Sequence, residues 1–291
     1  MRPAAFEYLR PTARNEAIRD IQGSDSSFFY AGGTELLLAL KMRVLHADRL
    51  IDLKRIPDLD RIYRSEQGEL VVGARATHRQ IETSSLIQEA LPALSQLCSQ
   101  VANIRVRSVG TIGGNLCFAE PHADPGTFLA ALGARLHLVG PDGERAVAAD
   151  EFVLGEFETA RGEHEILTHI VIPPQEGPSS YRRFRHGERP SVGVGMSWRL
   201  AKGGKVIESA RARFGALGPR PQSAEAVERC LAGAGIESAP DKLAVVLPDA
   251  LDTLEVISDR HGGDDYKRHL AVTLLKRCVI DCRDAAVARW S

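Results

Sequence analysis

The chain has few cysteines and no surplus of charge. Its five cysteines (Cys98, Cys117, Cys230, Cys278 and Cys282) are an odd, scattered set without CxxC spacing. That argues against a disulfide framework and against a self-contained zinc or iron–sulfur site. Lys and Arg total 37 against 38 Asp and Glu, so no overall field draws nucleic acid or an acidic membrane surface. No run approaches the roughly 20 apolar residues needed to span a bilayer. The N-terminus, MRPAAFEYLRPTARNEAIRD, lacks the apolar stretch of a secretory signal, so the expected location is the cytoplasm. Three chemical signatures are missing as well. GxGxxG, GxxxxGK[ST] and GxSxG do not occur, which removes a single-loop Rossmann site, a P-loop and a nucleophile elbow. No internal repeat or low-complexity tract is found.

What is present suits a globular protein with a sizeable core. Hydrophobic residues make up 44% and charged residues 26% of 291, enough chain for one large domain or two or three smaller ones. Residues 14–22 (RNEAIRDIQ) read as an amphipathic helix, FFYA as a strand, TELLLALKMR as a helix and RLIDL as a strand. Together they make a βαβ-like unit. ELVVGARAT reads as the next strand, and THRQIETSSLIQEALPALSQLCSQVA as two helices parted near Ser84 and Ser85. PGTFLAALGA reads as a helix, RLHLVG as a strand and GPDGER as a tight hairpin turn. The run IPPQEGPSS cannot continue a central strand and reads as a linker. Beyond it, SVGVGMSWRLAKGGKVIESARARFGAL alternates like two antiparallel strands around a Gly-Gly turn, and residues 264–289 read as a closing helix. Cys278 and Cys282, one helical turn apart, read as small apolar residues on a buried face.

Two glycine pairs carry the chemistry. Gly32-Gly33 lies where a strand hands over to a helix, a place with unpaired backbone N–H groups and a dipole that favours anions. Thr34 can cap that helix or meet a phosphate oxygen. Without a Cβ, glycine lets a ligand approach the backbone closely. Gly113-Gly114 is flanked by Thr111 and Asn115 and preceded by Arg105 and Arg107. Asp124 follows, either as an acceptor for ribose hydroxyls or as the N-cap of a helix beginning at Pro125. Two donor loops plus an acceptor suit the pyrophosphate of a dinucleotide better than a mononucleotide.

AGGTELLLALKMR and VRSVGTIGGNLCFAEPHAD resemble the two flavin-binding motifs of the FAD-binding (medium) subunit of molybdenum hydroxylases, the xanthine dehydrogenase and carbon monoxide dehydrogenase flavoprotein type. LIDLKRIPDLDRI, LVVGARATHRQIE, EILTHIVIP, LGPRPQSAEAVERCLAG and DDYKRHLAVTLLKRCV fall in the same order, so the resemblance covers essentially the whole chain. It implies an α+β fold, with a two-subdomain, PCMH-like FAD-binding domain over 1–175 (subdomains about 1–55 and 56–175). A smaller α+β C-terminal domain over 176–291, with an antiparallel sheet and helices, would follow.

The resemblance also implies contacts to FAD. Ala31, Gly32, Gly33, Thr34 and Glu35 would meet the pyrophosphate from one loop, and Thr111, Gly114 and Asn115 from the other. Asp124 would meet the adenosine portion, Ile166 or Leu167 would pack on the flavin, and Arg183 or Arg185 would lie near the ring, where a cation stabilises the reduced flavin. The Arg183–Arg185 run reads equally as a solvated strand edge. Implied partners are an iron–sulfur small subunit and a molybdenum-cofactor large subunit, in a heterotrimer that can dimerise. The implied activity is oxidoreductase electron transfer from those clusters through FAD to NAD, oxygen or another acceptor. A stand-alone FAD oxidase or dehydrogenase and a flavin-free scaffold subunit are the alternatives.

Three departures from the family pattern stand out. Glu120 occupies a place where Asp or Ser is frequent, no Tyr stands near Pro190 or Ser191, and Cys117 has no companion cysteine insert. No metal site is expected. His122 with Asp124, and His164 with His169, read as polar surface, since a metal needs three or four converging ligands.

Overall fold

Successive side chains of a strand point to opposite faces of its sheet, and RLID shows what that does here. The computed structural model describes residues 2–187, 189–247 and 249–290, with Trp290 by its backbone alone. β1 (Glu7–Leu9), β2 (Ser27–Tyr30) and β3 (Arg49–Asp52) form a parallel sheet in the order β1-β3-β2. Ile51 of β3 packs with Ala17, Ile18 and Ile21 of α1 (Arg14–Ile21). Its neighbour Leu50 faces the other way, into Leu40, Ala47 and the flanking Leu36 and Leu37 of α2 (Leu36–Lys41). The sheet is therefore covered on both faces, as parallel sheets require. β1 was not foreseen: a three-residue strand is too short to show a period.

The chain folds as two compact units. One holds the chain up to Phe118 with Arg135–Phe152 and Phe157–Val171; the other holds Ala119–Ala134, Val153–Glu156 and the chain from Ile172. The first unit has a second sheet, ordered β4-β5-β8-β6-β7, made of β4 (Ile62–Arg64), β5 (Leu70–Gly73), β6 (Arg135–Gly140), β7 (Gly143–Ala148) and β8 (Ile166–Ile172). The hairpin turn falls at PDG as expected, with Gly140 paired to Gly143 and Gly143 at φ 115°. α3 (His78–Thr83), α4 (Ser85–Ala90), α5 (Pro92–Ser99), α6 (Ile104–Arg107) and α7 (Ile112–Phe118) complete it. Three helices thus occupy 78–99 where two were expected. Ser84 is extended and caps α4, and Leu91 leaves the helical region ahead of Pro92.

In the second unit α8 (Asp124–Ala131) packs on a four-stranded antiparallel sheet, β9 (Ser179–Arg185), β10 (Pro190–Leu200), β11 (Ile207–Gly215) and β12 (Gln222–Ser223), in that order. The VGVG run of β10 explains how. Val192, Val194, Met196 and Trp198 lie in the core with Leu274, Leu275, Cys278 and Cys282 of α11 (Asp264–Trp290). Gly193 and Gly195 face α8, where a Cβ on Gly195 would stand 3.1 Å from Cβ of Ala131. α9 (Glu225–Leu231) and α10 (Ala239–Val246) add to the α11 side of the core. Among the described residues no helix is long and apolar enough to cross a membrane, and no three His, Cys, Asp or Glu side chains converge as a metal site.

Candidate functional site

Within the first unit the two glycine loops touch. A Cβ on Gly32 would collide with the carbonyl of Val109 and lie 2.9 Å from Cα of Gly110. A Cβ on Gly110 would lie 3.5 Å from Cγ2 of Thr34 on one side and 3.5 Å from Cδ2 of His78 on the other. Gly33 is left-handed at φ 73° and sits against the Tyr30 ring. Glycine is required at both places, at Gly32 by close approach and at Gly33 by conformation. Among the described residues the backbone N–H groups of Gly32, Gly33 and Thr34 have no acceptor. α2 begins at Leu36 with Glu35 at its N-cap and no side-chain cap, so Thr34 does not cap it.

Strand-like backbone holds the second loop from behind. His78 N–H donates to the Gly110 carbonyl (3.0 Å), Ile112 N–H to Ala76 (3.0 Å) and Gly113 N–H to Ala74 (2.8 Å). A Cβ on Gly113 would stand 2.6 Å from Cβ of Ala74. Gly113 is thus a packing glycine with a committed donor, and Gly114 is the exposed member of the pair. Thr111 is buried, and its Oγ1 accepts from Gly114 N–H at 3.1 Å. Asn115 Oδ1 is buried and has no partner among the described residues. The row fits a phosphate-bearing ligand, because three N–H groups want an anion. The buried amide oxygen of Asn115 wants a donor, which a ligand's hydroxyl or amide rather than its phosphate would supply. Arg107 is engaged elsewhere, donating from Nε to Glu82 at 3.1 Å.

His78, outside any motif, lies against the second loop. It is 3% exposed, its Nδ1 has no partner among the described residues, and burial lowers its pKa to about 4, with Arg107 adding to the effect. The imidazole beside Gly110 is therefore neutral. At the C-terminal edge of the small parallel sheet, buried Asp52 accepts from the Tyr8 hydroxyl, and Lys54 Nζ stands 4.0 Å over the Tyr30 ring that supports Gly33. Burial, then the bond to Asp52, raises Tyr8 to about 12.

Ile166 and Leu167 lie on opposite faces of β8. Ile166 is packed in the core with Ile18, Ile51 and Val139, and Leu167 is 5% exposed. His164 and His169 are polar residues at the margin of the core. Both are half-buried, and His169 stacks on His137 at 4.3 Å and 15° because their strands pair His169 with His137.

In the second unit Asp124 is the first residue of α8, whose N-cap is Ala123, so its carboxylate does not cap the helix. It is 5% exposed, and it accepts from the Tyr181 hydroxyl (2.6 Å) and from Arg183. Burial pushes its pKa up against the opposing pull of Arg183. Arg183 is therefore held by the residue expected at the far end of a cofactor, while Arg185 is exposed. Alternation on β9 explains the split: Tyr181 and Arg183 face α8, and Ser180 and Arg182 face Asp281 of α11 at 2.6–2.7 Å. His122 is half-buried. Its side chain is 15% exposed and lies between Glu120 and Asp259.

Comparison with known proteins gives this geometry a family. Residues 4–175 match the FAD binding domain in molybdopterin dehydrogenase, and residues 180–282 match the CO dehydrogenase flavoprotein C-terminal domain. The chain is 30% identical to the carbon monoxide dehydrogenase medium chain of Hydrogenophaga pseudoflava, over 96% of this chain and 97% of that one. It is 27% identical to the xanthine dehydrogenase FAD-binding subunit of Escherichia coli O157:H7, over 96% of each. A crystal structure of quinoline 2-oxidoreductase from Pseudomonas putida 86 superposes with a TM-score of 0.89 at 28% identity, over the full length of both chains.

Proposed function

Because the chain belongs to the family of FAD-binding medium subunits of molybdenum hydroxylases, we propose that it is the flavin-carrying electron-transfer component of such a complex. Its partners are a small iron–sulfur subunit and a large molybdenum subunit, where the substrate is hydroxylated. The single observation that carries the reading is the contact of the two glycine loops beside a row of N–H groups, at Gly32, Gly33 and Thr34, that have no acceptor among the described residues. When bound, FAD supplies the redox step, taking electrons one at a time and releasing two together to NAD, oxygen or another acceptor.

The chain's own residues bind and orient. Ala31, Gly32, Gly33, Thr34 and Glu35 hold the pyrophosphate from one side, and Thr111, Gly114 and Asn115 from the other. Asp124 serves the adenosine end. Ile166 or Leu167 and Arg183 or Arg185 serve the ring. The backbone N–H of His78 donates to the Gly110 carbonyl and so backs the second loop. The FAD-binding domain is 1–175 and the C-terminal domain 176–291. Five free thiols suit a reducing compartment, the cytoplasm.

Purification tests the reading. The expected product is yellow, holds stoichiometric FAD and co-elutes with two further chains when co-expressed with them. A colourless chain overturns the flavin assignment, and a yellow monomer turning over substrate unaided overturns the subunit assignment. Gly32→Val should abolish bound FAD while the chain stays folded, because the added side chain separates the loops.

A further inference from the structure

The segment that descends from the second glycine loop, residues 119–123, ends in a closed set of charges within the second unit. His122 Nδ1 lies 3.2 Å from Glu120 Oε1, and Nε2 lies 2.9 Å from Asp259 Oδ2. Neutral imidazole has one N–H and one lone pair, so it can satisfy only one of two carboxylates; imidazolium donates to both. Asp259 Oδ2 also accepts from Lys267 Nζ at 2.7 Å. Lys267 is 1% exposed, and its other donors go to the carbonyls of Ala216 (3.2 Å) and Ile257 (2.9 Å), so its three N–H groups are all used.

Lys267 and Arg189, the latter 3.5 Å from Glu120, supply cations to the two carboxylates, and the His261 ring lies 4.5 Å from His122 beside Arg260. His122 stands between the two carboxylates and donates to both only when protonated. Two buried alanines next to the network are left-handed, Ala119 at φ 48° and Ala216 at φ 61°. A non-glycine residue keeps that conformation only where its surroundings over-determine it.

We propose that His122 is a positioning residue: as an imidazolium between Glu120 and Asp259 it fastens residues 119–123 to the Asp259–Lys267 corner, and this fastening sets how tightly the chain holds its dinucleotide. The proposal rests on the FAD reading above. It also gives Glu120 a purpose, since a shorter Asp or a Ser in that place would not reach as far toward the ring nitrogen. Glu120 and Asp259 raise the His122 pKa against burial, which opposes them, and His261 faces the same ring. The folded-state pKa lies above the unfolded one, so the clamp is fully present below the unfolded value and is lost as pH rises through the folded value.

The test is FAD affinity of the apoprotein, read by quenching of flavin fluorescence from pH 6 to 9, together with apoprotein Tm over the same range. For wild type, Kd is expected to rise about tenfold as His122 loses its proton, about 1.4 kcal/mol of binding free energy. His122→Gln should be weaker by that factor at pH 6 and flat across the range. Glu120→Gln, which leaves Lys267 and Asp259 in place, should move the wild-type transition to lower pH and carries the test if His122→Gln does not fold. A flat wild-type profile, or a His122→Gln profile that copies the wild type, overturns the proposal. A chain that takes up no FAD at any pH overturns the FAD reading and the dinucleotide consequence together. A Tm that falls with pH in wild type but not in His122→Gln would then still establish the clamp itself.

Discussion

Asp124 and Arg183 form a buried pair whose removal should be costly. Deleting one partner leaves the other charge without a counter-ion, typically about 3–5 kcal/mol, so Asp124→Ala should lower the denaturant midpoint far more than Arg185→Ala at the exposed end of the same strand. Urea titration of the two variants compares them directly, and equal midpoints would remove the pair from the stability argument. His78 makes a pH prediction. Its folded pKa of about 4 lies below the ordinary 6.5, so the unfolded chain takes up a proton first as pH falls. The His78 contribution to stability is therefore complete above 6.5 and is lost toward pH 4. The gap of about 2.5 between the two values corresponds to about 3 kcal/mol. His78→Gln should flatten that stretch of the stability–pH curve; an unchanged slope would show that other groups cause it. Neither role was legible in the sequence. Asp124 was read as an N-cap or a ribose acceptor, but its partners come from a strand far along the chain, and His78 belongs to no motif.

At the scale of elements, the sequence was a good guide wherever one local rule governed. The parallel-sheet strands β2 and β3, the Asp-Gly hairpin, the long β10–β11 pair around Gly203-Gly204 and the terminal helix fall where period and turn chemistry put them. Failures came where two local signals competed, as at Leu91-Pro92, or where an element was too short for a period, as at β1. The one-turn spacing of Cys278 and Cys282 did mark a buried face: both are fully buried, and burial raises Cys278 to about 12 and Cys282 well above the ordinary thiol value. Thiolates are the reactive form, so a thiol reagent should leave these two unmodified in the native protein and reach all five cysteines in denaturant. Mass spectrometry of the labelled chain locates them, and native labelling of either would contradict the packing of α11. In β10, alternation showed a strand but not the purpose of its glycines, which only the closeness of α8 reveals.

The whole molecule holds separate hydrophobic cores. One gathers around Trp198, Phe214 and α11, and another around Ile18, Ile51 and Ile166. A chain with more than one compact unit can depart from two-state unfolding. Calorimetry of the apoprotein should resolve more than one transition, and a single cooperative peak would show coupling without ligand. By itself the sequence determined most elements, the absence of familiar nucleotide motifs and the family, because these depend on residues near one another in the chain. The tertiary structure alone decided that Gly32 meets Val109, that Gly113 serves packing while Gly114 stays exposed, that Arg183 answers Asp124, and that His122 bridges Glu120 and Asp259. Each of these joins residues brought together only by folding, or divides neighbours by the face they present. Pattern and period carry no such distances; the packed backbone does.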